Sequence, residues 1–299
     1  MAKTDRWSRF GWHGVTFEVP EDWALARFDG TRRKGYARLV DREMVRVELR
    51  WDRPKRQGDF PGRADRVTAD LSRRQKVDVE RHTGLAELDG KDVETFTCRP
   101  ATKGEPSSYT MLSACRECGR VAVLRVVYQT GENIKAVAQR LMGSFEDHSY
   151  DGADVWAAHG LEFAVPETMH LDRTLIYPGS ADFRFARRRD RIDVGRIGVA
   201  SLILEHTSLA DWFRSFARKR FRPIGYECRE AEVKRHRGLE ITGRLKGLGA
   251  LVPRLLFRQR YLCRLWHCEV SDKLYFFSVL AREPEVERLA AYCDRLRCH

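Results

Sequence analysis

Apolar and polar residues alternate over short segments in both halves of the chain. Tyr36–Val40 and Met44–Trp51 lie in the first half, and Ala181–Arg188 and Arg196–Leu204 lie in the second. Alternation with a period of two residues is typical of strands that bury one face. The pattern therefore predicts two early strands in each half.

Two other segments have helical periodicity, one in each half. Ala64–Asp78 carries apolar residues at helical spacing. Ser208–Phe221 places large apolar residues at i, i+3, i+4 and i+7, which forms one apolar stripe. Ser208 followed by Asp211 resembles a capping box at the start of this segment. We expect one amphipathic helix in the middle of each half.

Longer β-prone runs follow both helices, and each half ends in a further helical pattern. The pair Asp89–Gly90 between β-prone runs predicts a hairpin turn. The terminal helices are predicted over Gly131–His148 and Arg282–Cys298. Strands that return by tight turns must be mostly antiparallel, because parallel neighbours need longer crossovers.

One motif occurs twice and indicates an internal duplication. The first half contains HGVTFEVPE at 13–21, and the second contains HGLEFAVPE at 159–167. After each copy the predicted order is four strands, a helix, four strands and a helix. A chain of 299 residues also exceeds the usual size of a single domain. We therefore expect two units, 1–150 and 151–299, with a linker at Asp147–Ala158.

The predicted fold class is α+β. Each of the two tandem repeats is expected to be a twisted antiparallel β-sheet flanked by helices, which is an α/β sandwich. The reason is that an amphipathic helix must cover its apolar stripe, and the apolar face of a sheet is the nearest surface that can do so.

The first unit begins with a short pattern, F-x-V-P-x-x-W, formed by Phe17, Val19, Pro20 and Trp23. With the mid-unit helix, the antiparallel strands and a final helix ending near Ser144 and Phe145, this pattern resembles PsbP-like domains. In the second unit Met169 stands where the pattern has Trp, and DRLRCH replaces the Ser-Phe ending. The resemblance covers both halves as a tandem duplication. It implies an accessory or partner-binding role and no catalysis.

The formal net charge is +12, and basic residues occur on both predicted mid-unit helices. One interpretation is a solvated basic face on a helix that packs into a core. The other is a surface for an anionic partner, which is an acidic protein, a nucleic-acid backbone or a lipid surface. The candidate partner-binding residues on the two helices are Arg66, Arg73, Arg74, Arg214, Arg218 and Lys219.

An apolar, glycine-rich loop is predicted between late strands of the second unit, at Gly247–Leu256. The corresponding loop of the first unit, Pro100–Ser108, is polar. An apolar loop tip is normally covered by other protein surface. Leu251 and Val252 are therefore candidates either for packing on the first unit or for docking a protein partner.

The eight cysteines of the chain are predicted to be reduced thiols, since the chain is large and lacks an export signal. Cys115 and Cys118 have the spacing of half a zinc knuckle. Cys263 and Cys268 lie in the equivalent hairpin of the second unit, so these four residues are the candidate ligands of a structural zinc shared between the units. The alternatives are ligands drawn from His267, Cys293, Cys298 and His299, a redox-active cysteine pair, or buried thiols without a metal.

No familiar catalytic motif is present in the sequence. His13 and His159 precede a glycine at the same place in both repeats, which favours a structural role. We therefore expect a non-enzymatic binding, scaffold or accessory protein with a protein partner. The alternative is a nucleic-acid-associated protein with a joint Arg-rich surface. The sequence has no apolar run long enough to span a bilayer and no secretory signal, so a cytoplasmic location is expected.

Overall fold

The computed structural model describes residues 6–54, 60, 62, 65, 69, 77–82, 84–102, 104–220, 224–245 and 259–299. The chain divides into two compact units, Met1–His159 and Gly160–His299. Of the described residues, 57% are in strands and 15% are in helices. The predicted α+β sandwich is therefore wrong: the fold is β-rich and built on large antiparallel sheets.

The first unit contains a small sheet and a large one. The small sheet includes β1 (Trp7–Trp12), β2 (Val15–Pro20) and β10 (Ala153–Ala158). The large sheet has seven strands in the order β3-β4-β5-β9-β8-β7-β6, all neighbours being antiparallel. Its strands are β3 (Ala24–Gly30), β4 (Lys34–Val40), β5 (Val45–Asp52), β6 (Val77–His82), β7 (Lys91–Pro100), β8 (Ser107–Cys115) and β9 (Val121–Tyr128). Helix α1 (Lys135–Gly143) follows β9.

The second unit repeats this plan. Its large sheet has the order β12-β13-β14-β18-β17-β16-β15, which is the same order with equivalent strands. The strands of this sheet are β12 (His170–Tyr177), β13 (Ser180–Arg187), β14 (Asp190–Gly198), β15 (Ile224–Val233), β16 (His236–Leu245), β17 (Gln259–Cys268) and β18 (Lys273–Arg282). Strand β11 (Leu161–Pro166) precedes them and is not part of this sheet. The helices are α2 (Ala200–Leu204), α3 (Leu209–Arg220) and α4 (Glu285–Ala290), with a 3-10 turn at Ala291–Arg295.

The repeated His-Gly pair lies at a tight turn. His13 and Gly14 have φ angles of 52° and 80°, and His159 and Gly160 have 53° and 68°. Two consecutive residues with positive φ are the requirement of the type I′ turn that joins antiparallel strands. In the first unit this turn connects β1 to β2, which pair from Trp12 with Val15 onward.

Several predicted elements differ from the observed ones. The predicted strand Arg196–Leu204 is the end of β14 followed by α2, and the predicted linker contains the buried strand β10. The terminal helices are shorter than predicted. The turn at Asp89–Gly90 is present, but the strand before β7 is β6, so the connecting loop is longer than a tight hairpin. Most of the helix predicted at Ala64–Asp78 lies outside the described residues.

Helix α3 confirms the predicted amphipathic helix. The Ser208 hydroxyl accepts a hydrogen bond from the backbone N–H of Asp211 at 3.1 Å, as a helix cap does. Phe213 is buried against Ile241 and Leu265 of the sheet, with Phe216 packed beside it. Among the described residues, no helix has both the length and the apolar character that a membrane crossing needs.

Candidate functional site

Two clusters of potential metal ligands are present among the described residues, one in each unit. In the first unit, β8 ends at Cys115 and the chain turns back through Gly119, whose φ is 70°. The backbone N–H of Cys118 donates to the Cys115 sulfur at 3.4 Å, and the two sulfurs lie within 4.8 Å of each other. The Cys-x-x-Cys spacing therefore produces a sulfur pair on a hairpin.

The segment after α1 brings the other members of this cluster. Glu146 forms a bridge with Thr16 of β2, and the next two residues are Asp147 and His148. The Cys118 thiol donates to Asp147 Oδ2 at 3.2 Å, and His148 Nδ1 lies 3.7 Å from the Cys115 sulfur. The ligand atoms of all four residues lie within 4.8 Å of one another.

The surroundings of this first cluster are charged and mostly buried. The Lys91 ammonium lies 3.0 Å from Asp147 Oδ1, and both side chains are almost inaccessible. Burial opposes ionisation of Asp147, but Lys91, the Cys118 hydrogen bond and His148 together outweigh it, so the pKa of this carboxyl is lowered. Burial raises the pKa of the Cys118 thiol to about 12. The outer nitrogen of His148, Nε2, lies 3.2 Å from a Glu117 carboxylate oxygen.

The second cluster is built in the same way from different residues. Arg297 forms a bridge with Glu162 of β11, and the next two residues are Cys298 and His299. His299 Nδ1 lies 3.2 Å from the sulfur of Cys268, at the end of β17, and 3.4 Å from the sulfur of Cys298. His236 Nε2 lies 3.4 Å from the Cys298 sulfur.

The structure brings together only part of the predicted zinc set. Cys115 and Cys118 lie in the first cluster and Cys268 in the second, whereas Cys263 belongs to neither. Cys263 is buried in the core beside Tyr261, and this burial raises its thiol pKa. Of the alternative ligands, Cys298 and His299 are members of the second cluster.

Sequence reasoning missed Asp147, His148 and His236. The first two were assigned to a terminal helix and a linker, and no local spacing connects them to Cys115. Asp147 and His148 are equivalent to Cys298 and His299. This equivalence is visible only when the bridge between Glu146 and β2 is aligned with the bridge between Arg297 and β11. The signal in the sequence was the presence of a histidine at the end of both units.

An arginine-lined cavity of about 430 Å³ lies beside the first cluster. Its described lining contains four arginines and no carboxylate, and Cys118 and His148 form part of the wall: Arg32, Arg33, Arg53, Pro54, Cys118, Arg120 and His148. Arg33 and Arg53 are exposed, and Arg120 is only 4% exposed. The cavity therefore combines one buried guanidinium with exposed ones at its mouth.

Backbone carbonyls fix Arg120 in place. Its guanidinium donates to the carbonyl of His13 at 3.1 Å, to that of Arg32 at 2.7 Å, and to that of Asp147. The Arg32 side chain lies 3.3 Å from Asp154, a carboxylate outside the cavity lining. The imidazole of His13 is buried nearby, and desolvation, with Arg120 and Arg32 adding to it, lowers its pKa to about 4. The two arginines therefore disfavour any further positive charge at this end of the unit.

A larger cavity, of about 780 Å³, lies on the same strands. Tyr36 and Val123 are among its walls, and its rim carries the Arg38–Glu48 ion pair at 3.0 Å. Arg33 and Arg53 line the smaller cavity, and their chain neighbours Lys34 and Asp52 line the larger one, so the two cavities are adjacent.

The predicted partner-binding residues are described only in part. Arg214 is exposed on α3, where it pairs with Asp211 at 2.5 Å. The side chains of Arg218 and Lys219 lie outside the described part of the chain, as do Arg66, Arg73, Arg74, Leu251 and Val252. The joint basic surface of the two helices therefore stays a prediction.

The chain matches no protein-family model. No curated protein matches it either. Among solved structures, the chain is similar to the immunity protein TplEi of T6SS from Pseudomonas aeruginosa, in complex with an "L" peptide, with 12% identity, a TM-score of 0.35 and 99% of each chain covered.

A second solved structure is similar to the same degree. It is the Tle4–Tli4 complex, with 9% identity, a TM-score of 0.35, and coverage of 99% of this chain and 98% of the other. At this TM-score the likeness does not assign the fold or a function. The residues of the chain itself must support any function proposed for it.

Proposed function

We propose that this chain is a non-enzymatic binding protein that recognises an acidic protein partner through the arginine-lined cavity of its first unit. The observation that carries the proposal is the cavity lining, in which four guanidinium groups meet without a carboxylate among the described residues. Guanidinium groups bind carboxylates through paired, charge-assisted hydrogen bonds. A partner's Asp or Glu side chain has the charge and the size to enter.

The preorganisation of Arg120 supports this proposal. Its side chain is held by three backbone carbonyls, so little conformational entropy is lost when an anion binds next to it. Those carbonyls carry only partial charges, and the carboxylates that act on Arg120 (Asp147 and Asp154) lie outside the cavity lining. Arg33 and Arg53 are exposed and can close on a ligand from the rim.

The geometry favours a protein partner over nucleic acid. Sequence-independent binding of nucleic acid uses a basic groove that follows many phosphates. The described arginines instead surround one cavity of about 430 Å³, beside a second cavity with tyrosine and valine in its wall. A compact basic cavity next to an apolar surface matches an acidic side chain presented by a folded or extended polypeptide.

Affinity capture from an extract of the source organism tests the proposal. The bait is the full chain, compared with the variant Arg33→Gln/Arg53→Gln and with the control Arg6→Gln/Arg42→Gln, which removes the same charge from exposed positions outside the cavity. We expect the wild type and the control to retain a protein, and nuclease treatment to leave this retention unchanged. The cavity variant should bind the same protein at least about tenfold more weakly.

Three outcomes would contradict the proposal. The first is that no protein is retained. The second is that the captured material is nucleic acid and disappears after nuclease treatment, with retention that falls steeply with salt. The third is equal retention by the cavity variant and the control, which would place the interaction elsewhere on the chain.

A further inference from the structure

We propose that each unit of this chain binds one zinc ion, at Cys115, Cys118, Asp147 and His148 in the first unit and at His236, Cys268, Cys298 and His299 in the second. Each set offers four ligand atoms within 4.8 Å of one another. The two sites are separate, in contrast to the single shared zinc predicted from the cysteine spacing. The second site uses no residue of the arginine-lined cavity.

Distances between the ligand atoms are close to those of a tetrahedral site, with Cys268–His299 and Cys118–Asp147, both at 3.2 Å, slightly short. Bond lengths of about 2.3 Å to sulfur and about 2.0–2.1 Å to nitrogen place neighbouring ligands of a tetrahedral zinc about 3.3–3.8 Å apart. In the second unit, the three measured pairs among Cys268, Cys298, His236 and His299 are 3.2, 3.4 and 3.4 Å. In the first unit, Cys118 lies 3.2 Å from Asp147, and Cys115 lies 3.7 Å from His148.

The two sites occupy equivalent positions in the repeated fold. Cys115 ends β8 and Cys268 ends the equivalent strand β17. Asp147–His148 and Cys298–His299 each follow the residue that bridges to the first strand of the unit after the His-Gly turn. Three of the four ligand positions are therefore delivered by the same backbone geometry in both units.

The fourth ligand differs between the units, and the difference is compensated. In the first unit, Lys91 stands opposite Cys115 and cannot bind a metal, while Cys118 from the turn supplies a sulfur. In the second unit, Gly238 of β16 pairs with Trp266 of β17. Extending this pairing by two residues along both strands places His236 opposite Cys268. Each unit thus retains four ligands although different residues supply them. Buried thiols without a metal have no need of this compensation.

The charge of each site also fits a divalent ion. Two thiolates neutralise zinc in the second unit. In the first unit, two thiolates and Asp147 leave one excess negative charge, which Lys91 balances at 3.0 Å. Binding releases the thiol protons to solvent. His148 Nε2 meets the carboxylate of Glu117 at 3.2 Å, the outer contact that orients many zinc-bound histidines.

Mixed sulfur and imidazole ligands in a closed tetrahedron favour zinc over magnesium or calcium, which prefer oxygen. The four positions are filled by protein atoms in each cluster, so the role is structural. Such a site joins the segment that follows the bridge to β2 or β11 to a strand end of the large sheet.

Metal analysis of the purified full chain is the direct test. We expect about two zinc ions per chain, one for each cluster. Cys118→Ser should lower the content by about one, Cys298→Ser by about one, and the double variant to near zero. Cys228→Ser, at a half-buried cysteine outside both clusters, should leave it unchanged.

A measurement on the unaltered chain removes any dependence on the folding of the variants. Cobalt added to the metal-stripped protein should give the visible bands of tetrahedral cobalt and a thiolate charge-transfer band, at about two equivalents. Zinc content near zero without such bands would overturn the proposal. If the chain holds one metal ion, the cysteine substitution that leaves the zinc content unchanged would overturn the site to which that cysteine belongs. A Cys268–Cys298 disulfide in the native protein would overturn the second site.

Discussion

Cys268 Sγ lies 3.2 Å from His299 Nδ1, although the two residues are 31 positions apart in the chain. The equivalent pair in the first unit, Cys115 and His148, lies 3.7 Å apart. In both units a strand end therefore meets, through sulfur and imidazole, the segment that follows the bridge to β2 or β11.

Metal removal is expected to destabilise the chain. A ligand that binds only the folded state stabilises that state, and the gain grows with the logarithm of the ligand concentration divided by Kd. A tightly bound structural ion therefore contributes several kcal/mol to the free energy of unfolding. Chelation of the wild type should lower Tm by more than about 5 °C. The measurement is thermal unfolding with and without chelator. The Cys118→Ser/Cys298→Ser variant serves as the control, and an equal chelator effect on it would contradict the prediction.

His13 is expected to make the chain less stable in mild acid. Its pKa is about 4 in the folded protein, below the ordinary histidine value of 6.5, because the imidazole is buried. Between these values the unfolded state binds more protons, so stability falls as the pH is lowered from above 6.5 toward 4. The full effect is about 3 kcal/mol.

Denaturant unfolding at several pH values measures this effect. The comparison variant is His13→Asn, because asparagine tolerates the positive φ of this turn position and does not titrate. The variant should lose less stability than the wild type as the solution is acidified from neutral pH to about pH 4. Identical pH slopes for the two proteins would show that His13 is not a buried neutral group.

Gly14 is expected to be much less replaceable than Gly152. Both have positive φ angles, 80° and 71°, so an alanine at either position carries similar backbone strain. A Cβ at Gly14 would lie 2.9 Å from Asp154 Oδ1, whereas a Cβ at Gly152 meets nothing within 4 Å. Gly14→Ala should therefore reduce the unfolding free energy by about 1–2 kcal/mol more than Gly152→Ala. Chemical denaturation of both variants checks this, and equal losses would refute the crowding argument.

Arg46 is expected to be a major contributor to the stability of the first unit. Its side chain is 2% exposed and contacts Asp41 at 2.5 Å and Glu132 at 2.7 Å. The pKa of Arg46 is raised, mainly because its guanidinium donates a hydrogen bond to Glu132. Asp41 acts in the same direction. Removal of the buried cation leaves two carboxylates without their partner, so Arg46→Ala should cost about 3–5 kcal/mol.

An exposed ion pair provides the matched control for Arg46. Arg99 lies 2.7 Å from Glu80, but these side chains are 54% and 52% exposed. Solvent screens such a pair, and Arg99→Ala should cost no more than about 1 kcal/mol. Unfolding of both variants in denaturant gives the comparison. A loss at Arg46 no larger than that at Arg99 would mean that burial does not strengthen this network.

The parts of the fold predicted from sequence are those with a local cause. The stripe on α3 has a helical period, and the strands at Met44–Trp51 and Ala181–Arg188 alternate from one residue to the next. The Cys-x-x-Cys spacing likewise predicted that Cys115 and Cys118 would lie together. In each case the interacting residues are a few positions apart, so the geometry of one element places them.

The tertiary structure decided which elements became neighbours, and this explains the errors. Alternation shows that a segment is a strand but not which strand it pairs with, so a β-rich fold was interpreted as sheets flanked by helices. His236 lies near Cys268 only because of the register between β16 and β17. His148 lies near Cys115 only because Glu146 forms a bridge with Thr16. The sequence alone determined the apolar stripe of α3 and the closeness of Cys115 to Cys118, because each depends on residues a few positions apart. That the His-Gly pairs lie in turns was shown only by their backbone angles. The ligand clusters and the arginine-lined cavity depend on residues brought together across long loops, and the packing of the whole unit determines them.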